Sequence, residues 1–346
     1  MTKAFEYVIL FQGSHINHKF KTMPNKRSTN TAIFPADRSW ERSGNPSPFV
    51  GVGIGGPKAR AKQLEYLVVI YGLLGIGSVF ATWWLFTHTT GIVEWSAFTF
   101  GYLTINFGLS VGFHRYFSHR SFETTRVVHY LLAITGHMAC LGSGINWAAD
   151  HRRHHAHTNV PGDPYAPNFD GHGRPMQGIK SFFMCHIGWL LDNTYTDVGV
   201  YGKGLAGDPA LEWCHRTRWF WVIFSLFILP AGWALLFGGP EHIVGTILIG
   251  GLLRTFIFAN GVGFTNSLAH GFGYSRFKDC GDATNNWFVA LLTLGDGWHN
   301  NHHNAPRAAN NLIGWWEIDI NGWTIEALEK LGLAWNVQKR SNQVQS

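Results

Sequence analysis

Three histidine-rich runs, each lying just beyond a hydrophobic stretch, constrain this chain more than any other feature. They read His114-Arg-Tyr-Phe-Ser-His119, His151-Arg-Arg-His154-His155 and His299-Asn-Asn-His302-His303. Imidazole is a good ligand for iron, zinc, copper and nickel. If the eight rings serve metal, the fold has to gather three distant segments at one place. The hydrophobic stretches say where: the gathering point lies at a bilayer surface.

Four stretches are long enough to cross a bilayer, which takes about 20 apolar residues. They cover about 65–87, 91–113, 219–238 and 243–264. Arg254 sits inside the fourth, where a charge is costly unless it faces protein or water. Only 14% of residues are charged, against about 25% in a soluble domain. Trp residues at the segment ends fit an interfacial belt. Loop charge sets the orientation. The first 64 residues carry Lys3, Lys19, Lys21, Lys26, Arg27, Arg38, Arg42, Lys58, Arg60 and Lys62, while the connections 88–90 and 239–242 carry no Lys or Arg. The positive-inside rule then places the leader, 114–218 and everything after 264 in the cytoplasm. All three histidine runs fall on that side, although the charge count never used them.

The expected architecture is therefore all-α and integral to the membrane: four transmembrane helices under a cytoplasmic helical cap that carries a His-rich dimetal site. Residues 1–64 form a polar, basic leader, largely disordered or lying on the surface. Residues 65–335 form the membrane domain, and 336–346 a polar tail. Both termini are cytoplasmic. The shorter apolar pieces 127–142 and 179–191 read as re-entrant, interfacial or cap helices, and 322–334 as an amphipathic helix. Cys140, Cys185, Cys214 and Cys280 are scattered and form no CxxC pair, which argues against an iron–sulfur cluster, a zinc ribbon or a disulfide framework. Gly51-Val-Gly53-Ile-Gly55-Gly56 satisfies GxGxxG but lacks a βαβ context and is not read as a dinucleotide site. The net charge of +6 suits an anionic leaflet or an acidic partner and is too scattered for nucleic acid.

In an HxxHH run on a helix, positions i, i+3 and i+4 share a face. Eight imidazoles exceed what one ion takes, so two metal ions are the economical solution. A redox task suggests iron; ligand type alone leaves zinc, copper and manganese open. His114 and His119 are five apart and need divergent directions or a helix end between them. Asp150 and Asp296 flank the second and third runs, either orienting imidazoles through hydrogen bonds or capping helices. His15, His18, His88, His129, His172, His215 and His242 read as ordinary lone histidines. His137, His157 and His186 stand between that reading and support of the site.

The chain resembles the membrane fatty acyl desaturases, particularly the acyl-CoA and acyl-lipid Δ9 group. HRYFSH is similar to that family's first box, WAADHRRHH to its second with the preceding Trp, and HNNHH to its third. Asn266-Ser-Leu-Ala-His270 is similar to its NSxxH element, and WWEIDINGWTIEALEKLGL to its ending. The resemblance covers roughly 65–335. It implies a di-iron centre (Fe2+/Fe3+) with O2 as co-substrate. One iron would be held by His114, His119, His151, His155 and His302. The other would be held by His154, His270, His299 and His303, with Asn266 acting through water. No catalytic residue beyond the ligands is implied.

The implied reaction removes two hydrogens from a methylene pair of an acyl chain held in a narrow tunnel, which Trp147 and Val262 would line. Hydroxylation, or decarboxylation to a terminal alkene, needs the same iron and a slightly different chain placement. A metal transporter is the distant alternative, and it predicts ionisable residues lining the spans, which are scarce here. An external electron donor of ferredoxin, rubredoxin or cytochrome b5 type is implied, since no haem or ferredoxin domain is attached. Three positions depart from the acyl-CoA pattern. Ala149 and Asp192-Asn193 replace basic residues that help bind the coenzyme, and Val262 replaces a threonine at the tunnel bend. Acyl-CoA, acyl-lipid, acyl-carrier-protein and free fatty acid therefore all stand as substrates, and the double-bond position is open.

Overall fold

The computed structural model describes residues 49–340. Most of the expected leader, 1–48, and the end of the tail, 341–346, lie outside the described residues. The fold is mostly helical, in chain order β1 (Val52–Ile54), α1 (Gly56–Thr87), α2 (92–118), β2 (Glu123–Thr124), α3 (Arg126–His137), α4 (Gly144–Ala156), α5 (Gly178–His186), β3 (Thr194–Thr196), α6 (Pro209–Arg216), α7 (Arg218–Phe237), α8 (Pro240–His270), α9 (Trp287–Thr293), α10 (His299–Asn304), α11 (Ile320–Lys330) and β4 (Ala334–Trp335). The shortest helical turns are left unlabelled.

Among the described residues three helices, α1, α7 and α8, are long and apolar enough to cross a membrane. Phe86 at 86% and Leu236 at 78% exposure show why: their outward faces are hydrophobic. The stretch expected as a fourth span, 91–113, is one continuous helix, α2, but it is not among these three. Glu94, Asn106 and Ser110 dilute it, and all three are buried against protein. α1 begins at Gly56, inside the range expected as leader. Pro57 occupies its first turn, where a missing N–H costs nothing. Before it, the Gly51–Gly56 stretch supplies β1, which pairs antiparallel with β3 (Val52 opposite Thr196).

α2 is the central post. α3 returns along it so closely that a Cβ on Gly108 would sit 2.0 Å from the Thr135 carbonyl carbon. Leu109, Phe113 and Leu132 fill the seam. Local signals fix the helix starts: Thr125 accepts from Val128 N at α3, Asp208 from Ala210 N and Leu211 N at α6, and Asp319 from Gly322 N at α11. Arg254 is wholly buried and faces protein, donating to the carbonyl and hydroxyl oxygens of Ser225 on α7 at 2.9 Å each. The four cysteines are buried and free.

Candidate metal centre

His114 and His119 sit on a widened part of α2. Over 107–118 the helix closes i to i+5, and His119 N bonds His114 O at 3.2 Å. A wide turn returns the side chain after five residues instead of four. That is how a five-residue spacing, awkward for an ordinary helix, faces one side. α4 presents His151, His154 and His155, and α10 presents His299, His302 and His303. At 100° per residue, i and i+4 diverge by about 40°, while i+3 lies about 60° to the other side. The i and i+4 members therefore pair, and the i+3 member turns to a different neighbour.

The Nε2 atoms form two strings. The first runs His119–His151 (2.7 Å), His151–His155 (3.1 Å), His155–His302 (3.0 Å) and His302–His114 (3.1 Å). The second runs His154–His303 (3.2 Å), His303–His299 (2.9 Å) and His299–His270 (3.0 Å). His270 comes from the last turn of α8. Hydrogen bonding cannot account for these strings. A neutral Nε2 offers one proton or one lone pair, so it joins one hydrogen bond. Five atoms linked by four contacts can satisfy at most two. Burial, and then the neighbouring imidazoles, hold His119, His151, His155, His299, His302 and His303 well below the usual imidazole pKa, which leaves lone pairs to donate. With metal–nitrogen bonds of about 2.1 Å, ligands at a right angle lie about 3.0 Å apart, close to the spacing seen. The donor set fits two cations, one per string, and His114, His119, His151 and His302 on one side and His154, His270, His299 and His303 on the other form groups suited to a metal.

Surrounding carboxylates orient several rings. Asp163 accepts from His154 Nδ1 at 3.0 Å, and also from the backbone of Asn159 and Tyr165. Burial alone would raise its pKa, but the His154 contact and these bonds hold it below the usual carboxylate value. Asp296 lies 3.4 Å from His114 Nδ1 and 2.8 Å from Arg115, which also grips Asp319. Asp150 behaves differently. It accepts from the Thr196 hydroxyl, and it lines the cavity beside the rings without bonding one. Tyr165 packs against His154 with centroids 4.6 Å apart and ring planes tilted by 31°, and its hydroxyl lies 3.4 Å from His151 Nδ1. Sequence reasoning missed Asp163 and Tyr165. The available signal was an acid in a Gly-Asp-Pro turn soon after an HxxHH run, and only the turn's return toward α4 gives it meaning. Of the intermediate histidines, His137 accepts from Gly144 N, His157 meets the Tyr201 hydroxyl, and His186 bridges Ser267 and Asn260.

The centre has two faces. His114, His151, His154 and His299 line a cavity of about 590 Å³ together with Trp147, Val262 and Asn266. A second cavity of about 550 Å³ shares Trp147, Trp189, Val262 and Asn266, and continues between α1 and α8 past Ile70, Leu74 and Phe256. Trp147 lies nearly parallel to His151, with centroids 5.2 Å apart. On the opposite face, His119, His155 and His303 are partly exposed. The rings of His155 and His303 stack there at 4.5 Å, joining the two strings.

A family model described as fatty acid desaturase matches residues 91–319. The chain is 33% identical over 282 residues to an sn-1 stearoyl-lipid 9-desaturase of Anabaena variabilis, covering 80% of this chain and 94% of that one. It is 36% identical over 232 residues to a hex-5-enoyl-[acyl-carrier protein] acetylenase of Moorena producens (67% and 72%). It is also 36% identical over 235 residues to an acyl-CoA C20 Delta5-desaturase of Anemone leveillei (67% and 69%).

Proposed function

This chain belongs to the fatty acid desaturase family, an oxidoreductase family, and from that premise we propose that it uses O2 and a His-ligated di-iron centre to place a double bond in an acyl chain. The observation that carries the reading is the junction of two imidazole strings with an apolar passage. A metal-transfer protein needs no such passage. His114, His119, His151, His155 and His302 would hold one iron. His154, His270, His299 and His303 would hold the other, with Asn266 on the cavity wall placed to act through water. When bound, the iron pair supplies the oxygen chemistry that an unactivated C–H bond demands.

The chain's own residues do the rest. Leu74, Phe256 and Val262 exclude water and hold an extended hydrocarbon. Trp147, packed on His151, fixes how close that hydrocarbon comes to the centre. Asp163 and Asp296 lock their imidazoles in register. The relatives' names specify chains on lipid, carrier protein and coenzyme A, and what the passage itself recognises is the hydrocarbon. Electrons enter from the partly exposed edge at His119, His155 and His303, away from the substrate. Arg120 and Arg152 flank His119 there and suit a small acidic carrier. With α2 counted as the second of four spans, both termini, the three histidine runs and His270 lie in the cytoplasm. The membrane domain is 65–335, between the 1–64 leader and the 336–346 tail.

Replacing His154 or His303 by Ala is expected to abolish double-bond formation while the protein still inserts in membranes. Product analysis by mass spectrometry, with a reductant system and a panel of acyl substrates, checks this. Retained turnover at normal iron content overturns it, and a hydroxylated product or a terminal alkene from the native chain redirects the assignment.

A further inference from the structure

The segment 315–323 is built inside out. Trp315 is 91% exposed, Trp316 52%, Ile318 54% and Trp323 46%, with Ile320 exposed beside them, while Glu317, Asp319 and Asn321 point inward and are buried. The inward groups are fully engaged. Glu317 accepts from Ile313 N, Gly314 N and Asn301 Nδ2; Asp319 takes Arg115. A segment facing water would be arranged the other way round. α9 continues the pattern with exposed Trp287 and Leu291.

Both elements are tied to α2. Asn106 donates to Asn321 Oδ1 at 2.6 Å, and the Tyr102 hydroxyl donates to Leu292 O. Counting at about 1.5 Å per residue from Gly91, Tyr102 lies about 16 Å and Asn106 about 22 Å along the helix. With Gly91 at the outer edge of a hydrocarbon core about 30 Å thick, Tyr102 falls near the midplane and Asn106 within the inner leaflet. α9 also packs on α8, with the Phe264 and Phe288 rings 6.0 Å apart. We propose that residues 315–323 and α9 form an aromatic shelf embedded in the cytoplasmic-leaflet interface, with lipid as its occupant. Trp suits that depth because its ring is apolar and its N–H can reach the headgroups. The shelf would fix the height of the histidine centre above the membrane, since α10 lies between its two parts in the chain. This inference rests on the reading of α2 as a span.

Spin-label depth measurement on the full-length protein in phosphatidylcholine vesicles tests it. The native cysteines are buried, so nitroxides can be placed at Trp315→Cys, Ile318→Cys and Trp323→Cys. Phe80→Cys on the outer face of α1 serves as the lipid reference and Lys203→Cys as the aqueous one. Shelf labels are expected to collide several-fold more with oxygen than with a water-soluble nickel chelate, as at Phe80, with the ratio reversed at Lys203. Nickel access at the shelf equal to that at Lys203, with Phe80 still in lipid, overturns the shelf and leaves the spans standing. An aqueous Phe80 overturns both.

Discussion

Asp163 does for His154 what the sequence assigned to other acids. Its carboxylate faces Nδ1 with both oxygens at 3.0 Å, which fixes the ring plane and leaves Nε2 as the free donor. Asp163→Ala leaves that nitrogen without an acceptor in a buried place. Loss of such a partner costs about 10–100-fold in metal affinity or activity. We expect that loss in both iron content and product yield, measured on the same preparation; full iron occupancy with full activity contradicts the role. Asp150→Ala, by contrast, removes a contact to Thr196 rather than to a ring, and should spare iron content.

At the scale of elements, the wide turn in α2 and its seam with α3 decide whether the first string forms. Gly108→Ala would drive a methyl into the α3 backbone. Overpacking of this kind costs about 1–3 kcal/mol, so a lower melting temperature is expected, together with loss of iron as α2 shifts. A second element-scale prediction concerns the 167–193 segment. His172 Nε2 lies 3.5 Å from Asp192. Burial disfavours the imidazolium, but Asp192 outweighs it and raises the His172 pKa, while burial's pull on Asp192 is outweighed by His172 and its pKa falls. The raised group stabilises the fold fully below its unfolded pKa of about 6.5, and that stability is lost as pH rises through the raised value. The lowered carboxylate contributes above about 3.9 and loses its contribution as pH falls. Melting temperature should therefore drop as pH rises from about 6.5 through the raised His172 value, and Asp192→Asn should flatten the drop.

For the whole molecule, the two strings draw ligands from α2, α4, α8 and α10, which are separated in the chain by other helices. Metal should thus stabilise the cap far more than the spans. A ligand at 1,000 times its Kd contributes about 4 kcal/mol. Chelation is expected to lower the unfolding temperature of the cap and to raise proteolysis within 157–177 and 271–286, while helical content in the membrane changes little. Equal melting with and without chelator would show that the rings do not hold metal.

The lesson from the sequence divides along the same scales. The three histidine runs and the apolar lengths of α1, α7 and α8 were legible because each depends on neighbours within one or two helical turns. The family resemblance added His270 and Asn266, which spacing alone did not single out. What stayed hidden depends on distant partners. The resemblance implied how each HxxHH run divides, but the cause of that division, where α4 and α10 face each other, is not written in either run. The service of Asp163 follows from a loop that turns back on α4. The inversion of 315–323 follows from Arg115 and Asn106, some 200 residues earlier, which draw its polar side chains inward. Periodicity along the chain determined which residues could share a helix face; only the packing of helices decided which faces met, because ring-to-ring contact at 3 Å is a property of pairs that the chain order does not encode.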